Sequence, residues 1–182
     1  VYERNGNGFD VARIDHDEVL AHFGGPVAIS GDVALISGGR RDPVDPTWSF
    51  GRVFVYRYDG ADWRFEQELY AFDEEAQDDF GAALAVEGDL AVAGAPGDDD
   101  WGSASGAFYT FRYDGSVWQF EEKHVSPAAM GSDNFGSVLD LRAGRLVVGV
   151  PRSDYLSMDA GMAIVYRDGA PGLAIEQILF PG

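Results

Sequence analysis

The chain has 182 residues, with 31 acidic against 13 basic side chains and a formal net charge of −18. Such a charge repels phosphates and argues against nucleic acid; it suits cations, basic partners or plain solubility, including in a salty medium. Cysteine is absent, which excludes disulfides, thiolate metal sites and cysteine nucleophiles, and no run reaches the ~20 apolar residues of a membrane helix, so no membrane insertion is expected.

In chain order, residues 1–22 read as the end of one structural unit and a linker. Val1-Tyr2 matches Val55-Tyr56, and Phe9 to Ile14 has the pattern of an outer strand. The first residue is Val rather than Met, so the expectation is that an upstream segment was removed or that the chain is a piece of something longer. Three copies of one pattern follow, at 23–79, 80–134 and 135–182. Phe23-Gly24, Phe80-Gly81 and Phe135-Gly136 open them, spaced 57 and 55 residues apart. A period near fifty residues marks a solenoid, propeller or array.

Each copy divides into four short runs separated by turn residues. In the second copy these are Ala82 to Val86, a Gly88-Asp89 turn, Leu90 to Ala95, a loop from Pro96-Gly97, Ala107 to Tyr113, an Asp114-Gly115 turn, and Trp118 to about Lys123. Asp-Gly between hydrophobic runs predicts a hairpin, and Asp59-Gly60 and Asp168-Gly169 hold the matching places. No window sustains a 3.6-residue period, so helices are not expected. The unit is a four-stranded antiparallel meander.

The first two runs are continuous and rich in small residues, as strands buried on both faces near an axis would be. The third carries bulk at Phe54, Tyr56, Phe108, Tyr109, Phe111 and Tyr166. The fourth alternates, with Trp63, Phe65, Gln67 and Leu69 on one side and Arg64, Glu66 and Glu68 on the other. Slim strands inside and bulky ones outside are what radially splayed blades require. The fold expected is all-β: about three and a half blades of a β-propeller, forming one propeller domain or a fragment of one, completed by the rest of a larger propeller or by self-association.

The phrase FG…V…GD…VAGAP, with an acidic Gly-rich loop and the strand GAFYTF after it, resembles FG-GAP repeats. These build seven-bladed propellers in integrin α-subunits and occur widely in secreted bacterial proteins. The second copy is nearest, with Phe80-Gly81 and Gly94-Ala95-Pro96 intact; the third has Gly149-Val150-Pro151, and the first, with Ser37-Gly38-Gly39, departs furthest. The Trp63 and Trp118 strands, each leading into an Asp-rich segment, look closest to the bacterial version. Integrin-type repeats often hold calcium in a DxDxDG loop between the first two strands of a blade. Here that connection is Ser30-Gly31-Asp32, Glu87-Gly88-Asp89 and Ala143-Gly144-Arg145, with at most two acids. Calcium needs six to eight oxygens, so that site does not carry over.

Turns of a meander alternate between the two ends of its strands, so the loop joining strands two and three shares a rim with the linker to the next blade. Asp42, Asp45, Asp98, Asp99, Asp100, Asp154 and Asp159 fall in these loops, and Asp15, Asp17, Glu18, Asp73, Glu74, Glu75, Asp78, Asp79 and Asp133 in the linkers. About 16 of the 31 acids therefore share one rim, with only Arg40, Arg41 and Arg152 opposing them. Three readings stay open for it: a solvated repulsive surface, a divalent-cation site, or a docking face for a protein or glycan. The candidate metal ligands are Asp98, Asp99, Asp100, Asp78 and Asp79, with calcium as the cofactor in view; Asp-Asp-Asp-Trp-Gly lacks the alternating spacing of an EF-hand loop. Trp48, Trp101 and Tyr155 lie in the same loops and are the candidate partner-binding residues.

No nucleophile elbow, phosphate loop or dinucleotide fingerprint appears, and no catalytic residue is assigned. His16, His22 and His124 have no metal-site spacing and read as surface residues. The expected function is a non-enzymatic extracellular binding or adhesion module, secreted or at the cell surface. The alternative is a self-assembling structural repeat protein, and behind it a hydrolase using the acidic rim.

Overall fold

A computed structural model describes residues 22–182, apart from 42–43, 46–48 and 129, and the backbone of three short strands before them. These are β1 (Glu3–Arg4), β2 (Asp10–Val11), which pairs with β1, and β3 (Leu20–Ala21). Blade 1 holds β4 (Val27–Ser30), β5 (Val33–Arg41), β6 (Ser49–Tyr58) and β7 (Trp63–Leu69), with β3 beside the far end of β5. Blade 2 holds β8 (Ala83–Glu87), β9 (Leu90–Ala95), β10 (Ala107–Tyr113) and β11 (Trp118–Val125). Blade 3 holds β12 (Leu139–Arg142), β13 (Arg145–Val150), β14 (Met162–Gly169) and β15 (Gly172–Leu179). Within each four-stranded blade the strands pair antiparallel with their chain neighbours, and β3 pairs antiparallel with β5; no helix occurs among the described residues. The propeller-blade architecture expected of the sequence is the one observed.

The sheets stack through two apolar layers. Val33, Leu35, Val53 and Val55 of blade 1 meet Leu84, Ala91, Ala93, Ala107 and Tyr109 of blade 2. The opposite face of blade 2, with Ala85, Leu90, Val92 and Phe108, meets Leu146, Val148, Ile164 and Tyr166 of blade 3. The small residues of β8 and β9 are buried throughout, because blade 2 has a neighbour on each side. The expectation of two-face burial fails in the outer blades. Val27 and Ile29 on β4 are 64% and 67% exposed, and Val147 on β13 is 38% exposed, since each lies on the face of a blade turned away from blade 2.

The Phe-Gly pair that opens the second and the third copy is a joint between blades. Phe80 passes over Gly51 at the start of β6 so closely that a Cβ on Gly51 would lie 2.1 Å from the Phe80 carbonyl oxygen. Phe135 forms a parallel bridge with Gly106, where a Cβ would meet its oxygen at 2.3 Å. A Cβ on Gly94 would lie 1.9 Å from the oxygen of Gly136. Only glycine allows backbone to approach backbone this closely. Phe80 and Phe135 are consequently 3% and 0% exposed, whereas Phe23 is 44% exposed.

Three details differ from the sequence expectation. The outer strands do not alternate strictly: a β-bulge sits at Val55/Tyr56, Thr110/Phe111 and Val165/Tyr166, so Tyr56 faces Phe65 while Val55 faces Gln67. The extra residue at a bulge turns neighbouring side chains to the same side. Glu66 and Gln67 therefore both reach blade 2, where Glu66 Oε1 accepts from Trp118 Nε1 and Gln67 Nε2 donates to Trp118 O, each at 2.8 Å. Asp168-Gly169 is not the turn itself but ends β14, with Gly169 paired to Gly172. His124 is also no surface residue; its ring stacks on Phe108 at 4.5 Å, and burial lowers its pKa.

Candidate functional site: the acidic loop rim

The rim is built by the β9–β10 and β13–β14 loops and by the linkers that lead into each Phe-Gly joint. Close backbone packing fixes these segments against each other. A Cβ on Gly97 would lie 2.0 Å from the oxygen of Gln77, and Gly97 N donates to Asp78 O at 3.0 Å. Asn134 N and Phe135 N donate in turn to Ala104 O and Ser105 O.

Asp98 and Asp100 gather with Asp73 around the ammonium of Lys123. Lys123 Nζ lies 2.8 Å from Asp73 Oδ2 and 2.6 Å from both Asp98 Oδ2 and Asp100 Oδ2. The Tyr109 hydroxyl is 2.9 Å from Asp73 Oδ1 and 3.1 Å from Asp98 Oδ2. Asp98 is buried, and its Oδ1 has no hydrogen-bond partner. Burial would lower the pKa of Lys123, but hydrogen bonds to Asp100, Asp73 and Asp98 outweigh it and hold the pKa raised. Burial works against the Asp73 carboxylate as well, and Lys123 and Tyr109 reverse it, leaving that pKa lowered. One oxygen from each acid lies within 4.8 Å of the others, a spacing that could hold a metal ion. The ammonium stands among these same oxygens and supplies positive charge from within the chain.

Asp78 and Asp79 do not join this cluster. Asp78 is buried and its Oδ2 accepts from Glu75 N at 2.9 Å, closing the linker turn. Desolvation, with the carboxylates of Asp98, Glu75 and Asp99 nearby, pushes its pKa up to about 6. Asp133 repeats the turn before the next joint, accepting from Met130 N, and burial raises its pKa too. Asp79 and Asp99 are exposed and, with Glu75, Asp78, Ser103 and Asn134, line a cleft of about 480 Å³ between linker and loop. Other rim acids are also engaged internally: Glu74 with Arg52, and Asp154 Oδ1 with Asp159 N at 2.7 Å. Much of the acidity is thus loop architecture.

The loop tips carry large exposed side chains. Trp101 is 68% exposed and Tyr155 58%, the latter stacked on Phe180 at 5.3 Å. Leu156 and Met158, which the sequence reading passed over, are exposed beside it. Trp48 lies outside the described residues, as do Asp42, Asp15, Asp17, Glu18 and His16. Asp73, Tyr109 and Lys123 were also missed as a unit. The available signal was Lys123 itself, the only lysine in the sequence, on the outer strand of the copy whose loop carries Asp98, Asp99 and Asp100.

Comparison with known proteins agrees with this architecture. Residues 63–111 match the model of the FG-GAP repeat; the match runs from β7 of blade 1 through the joint into β10 of blade 2. No curated protein matches the chain. Two crystal structures of Sqt1 from Chaetomium thermophilum are similar in fold, with TM-scores of 0.54 and 0.53 at 13% and 12% identity, each covering 92% of this chain. The chain spans 37% of those proteins' length. Residues 63–111, with Phe80-Gly81 and Gly94-Ala95-Pro96 at the joint that they span, are thus similar to an FG-GAP repeat.

Proposed function

We propose that the chain is a non-enzymatic extracellular binding or adhesion module that engages its partner through the loop rim. The carrying observation is the company of Trp101, Tyr155, Leu156 and Met158, all more than half exposed, on loops that also expose Asp99 and Asp154. Aromatic and Met side chains anchor interfaces, and carboxylates around them favour a basic partner surface. Rigid joints beneath the loops favour a preformed face over one that must be ordered on binding. The residues fixed most firmly, such as Asp98 and Lys123, serve the scaffold and leave no poised nucleophile or base in this reading.

The test is to compare the wild-type chain with a Trp101→Ala/Tyr155→Ala variant on an array of lysine- and arginine-rich peptides and on a glycan array. Peptide binding that the double variant loses supports the reading. Binding confined to glycans would replace the partner class, and binding that the variant keeps would move the site off this rim.

A further inference from the structure

His124 stands where the other two blades carry leucine. On the outer strand of blade 2 it pairs with Phe108, as Leu69 pairs with Val53 in blade 1 and Leu179 with Ala163 in blade 3. Leu69 is 2% exposed, in the layer between blades 1 and 2. The His124 side chain, at the matching place between blades 2 and 3, is 10% exposed. Its ring stacks on Phe108 at 4.5 Å and meets the Tyr166 ring of blade 3 at 5.9 Å. Phe108 in turn touches Phe135 of the joint at 5.5 Å and Tyr166 at 5.3 Å. A group that can take up a proton thus sits in the apolar layer that holds blade 3 to blade 2.

Little around the ring offsets a positive charge. Its Nε2 is buried and makes no hydrogen bond. The Glu122 carboxylate is 3.5 Å away, but that side chain is 58% exposed, so water screens it. Glu121, the other acid of β11, is engaged by Arg112 of β10, which also meets Asp89 and Asp168 of β14. Lys123 points to the opposite face, among its three aspartates. Arg167 of β14 is taken by Glu176 of β15, and Asp133 of the following linker accepts from Met130 N. Tyr166 brings only a hydroxyl, which burial keeps protonated. Desolvation therefore holds the imidazole pKa below its ordinary value, and Glu122 and Glu121 offset it only in part.

We propose that His124 is an acid-sensitive latch on the seam between blades 2 and 3: neutral, it seals the layer as Leu69 does between blades 1 and 2, and proton uptake loosens blade 3 from blade 2 so that the imidazolium reaches water. The seam is internal to the chain, and the device is independent of what the loop rim binds. The stabilisation of the closed seam is fully present above the imidazole's ordinary pKa of 6.5 and is lost as pH falls from there towards the lowered value. Asp133, before the joint at Phe135, has the opposite sign: burial raises its pKa, so acid favours its closed linker turn. Its titration does not mimic the latch.

Native-state hydrogen exchange tests it, each amide corrected for the intrinsic pH dependence of its rate and blade 1 serving as internal reference. From about pH 7.5 to about pH 5.5 the opening of the β13 and β14 amides in the wild-type chain should rise about tenfold, because the open seam takes up the proton near the ordinary imidazole pKa and the closed seam does not. The β5 and β6 amides should hold steady. In His124→Leu, which copies the residue of blades 1 and 3, the rise should vanish. An NMR titration of the wild-type imidazole reads the same device without a variant: the ring signal in contact with Phe108 and Tyr166 should titrate below 6.5. A rise shared equally by blade 1, a rise that survives in His124→Leu, no rise at all, or a His124 titration at or above 6.5 overturns the proposal.

Discussion

Lys123 of blade 2 occupies the register position that Glu68 occupies in blade 1. Each faces the third residue after the joint glycine, Tyr109 after Gly106 and Phe54 after Gly51. The surroundings have inverted with the sign. Glu68 is met by Arg40 at 2.5 Å and Arg52 at 2.9 Å, whereas Lys123 is met by three aspartates. A partly buried charge is tolerated where opposite charges come with it, so one position in the blade carries either sign provided that its rim follows.

Removing the cation alone should therefore be costly. Lys123→Met keeps much of the stem's bulk but leaves Asp98, with 3% of its side chain exposed, beside Asp73 and uncompensated. Breaking such a pair from one side typically costs about 3 kcal/mol. Urea denaturation should show that loss, and calcium should raise the melting temperature of the variant while leaving that of the wild-type chain in place.

Asp78 should make stability fall as pH rises. Its pKa is raised to about 6 in the folded chain from the ordinary 3.8, so the folded state binds the proton more tightly. Stability is then greatest below about pH 4, declines between about 4 and 6, and stays lower above, by an order of 3 kcal/mol at most. His124, whose folded pKa is lowered, has the opposite sign: its contribution is present above its unfolded pKa and lost as pH falls. Comparison with Asp78→Asn separates the two. The variant should be more stable than the wild-type chain at pH 7, with the difference vanishing near pH 4; equal stability at both would remove the assignment.

The joints were legible in the sequence and the electrostatics were not. Phe80-Gly81 and Phe135-Gly136 at the joints, Asp59-Gly60 and Asp114-Gly115 at the hairpins, and the small residues of β8 and β9 encode backbone requirements that the residue types themselves display. Asp59 and Asp114 show why Asp-Gly reads so clearly: each carboxylate accepts two turn N–H groups at 2.8–2.9 Å. The bulge beside Glu66 leaves no such mark, because one extra residue in a strand of alternating type shifts the pattern without breaking it. Lys123 was hidden for another reason. Its partners Asp73 and Asp100 are 50 and 23 residues away, and a surplus of acids on the rim conceals which ones are spoken for.

Steric room at the joint gives a sharper forecast than any charge. Gly94 has an ordinary backbone conformation, so Gly94→Ala adds nothing but a methyl group, 1.9 Å from the Gly136 oxygen. Backbone on both sides must move, and overpacking of this kind costs about 3 kcal/mol or more. Gly60→Ala is the control: its φ of +98° strains an added Cβ, but nothing lies within 4 Å of it, and about 1–2 kcal/mol is expected. Chemical denaturation should rank the two in that order.

The Trp118 clasp separates hydrogen bonding from packing. Trp118→Phe keeps an aromatic ring in the layer between blades 1 and 2 but removes the indole N–H that Glu66 accepts at 2.8 Å. A bond to a charged acceptor is worth about 1.5–3 kcal/mol. Glu66 remains paired with Arg57, so the loss should fall at the low end of that range. Gln67→Ala strips two bonds from the Trp118 backbone at once, leaving its N–H and carbonyl without those partners at the start of β11. Unmet backbone groups cost about 1–3 kcal/mol each, so Gln67→Ala should be the more damaging of the two, although it deletes the smaller side chain. The reverse order in a urea melt would mean that ring packing, and not the bulge-aligned Glu66-Gln67 pair, holds the blades together.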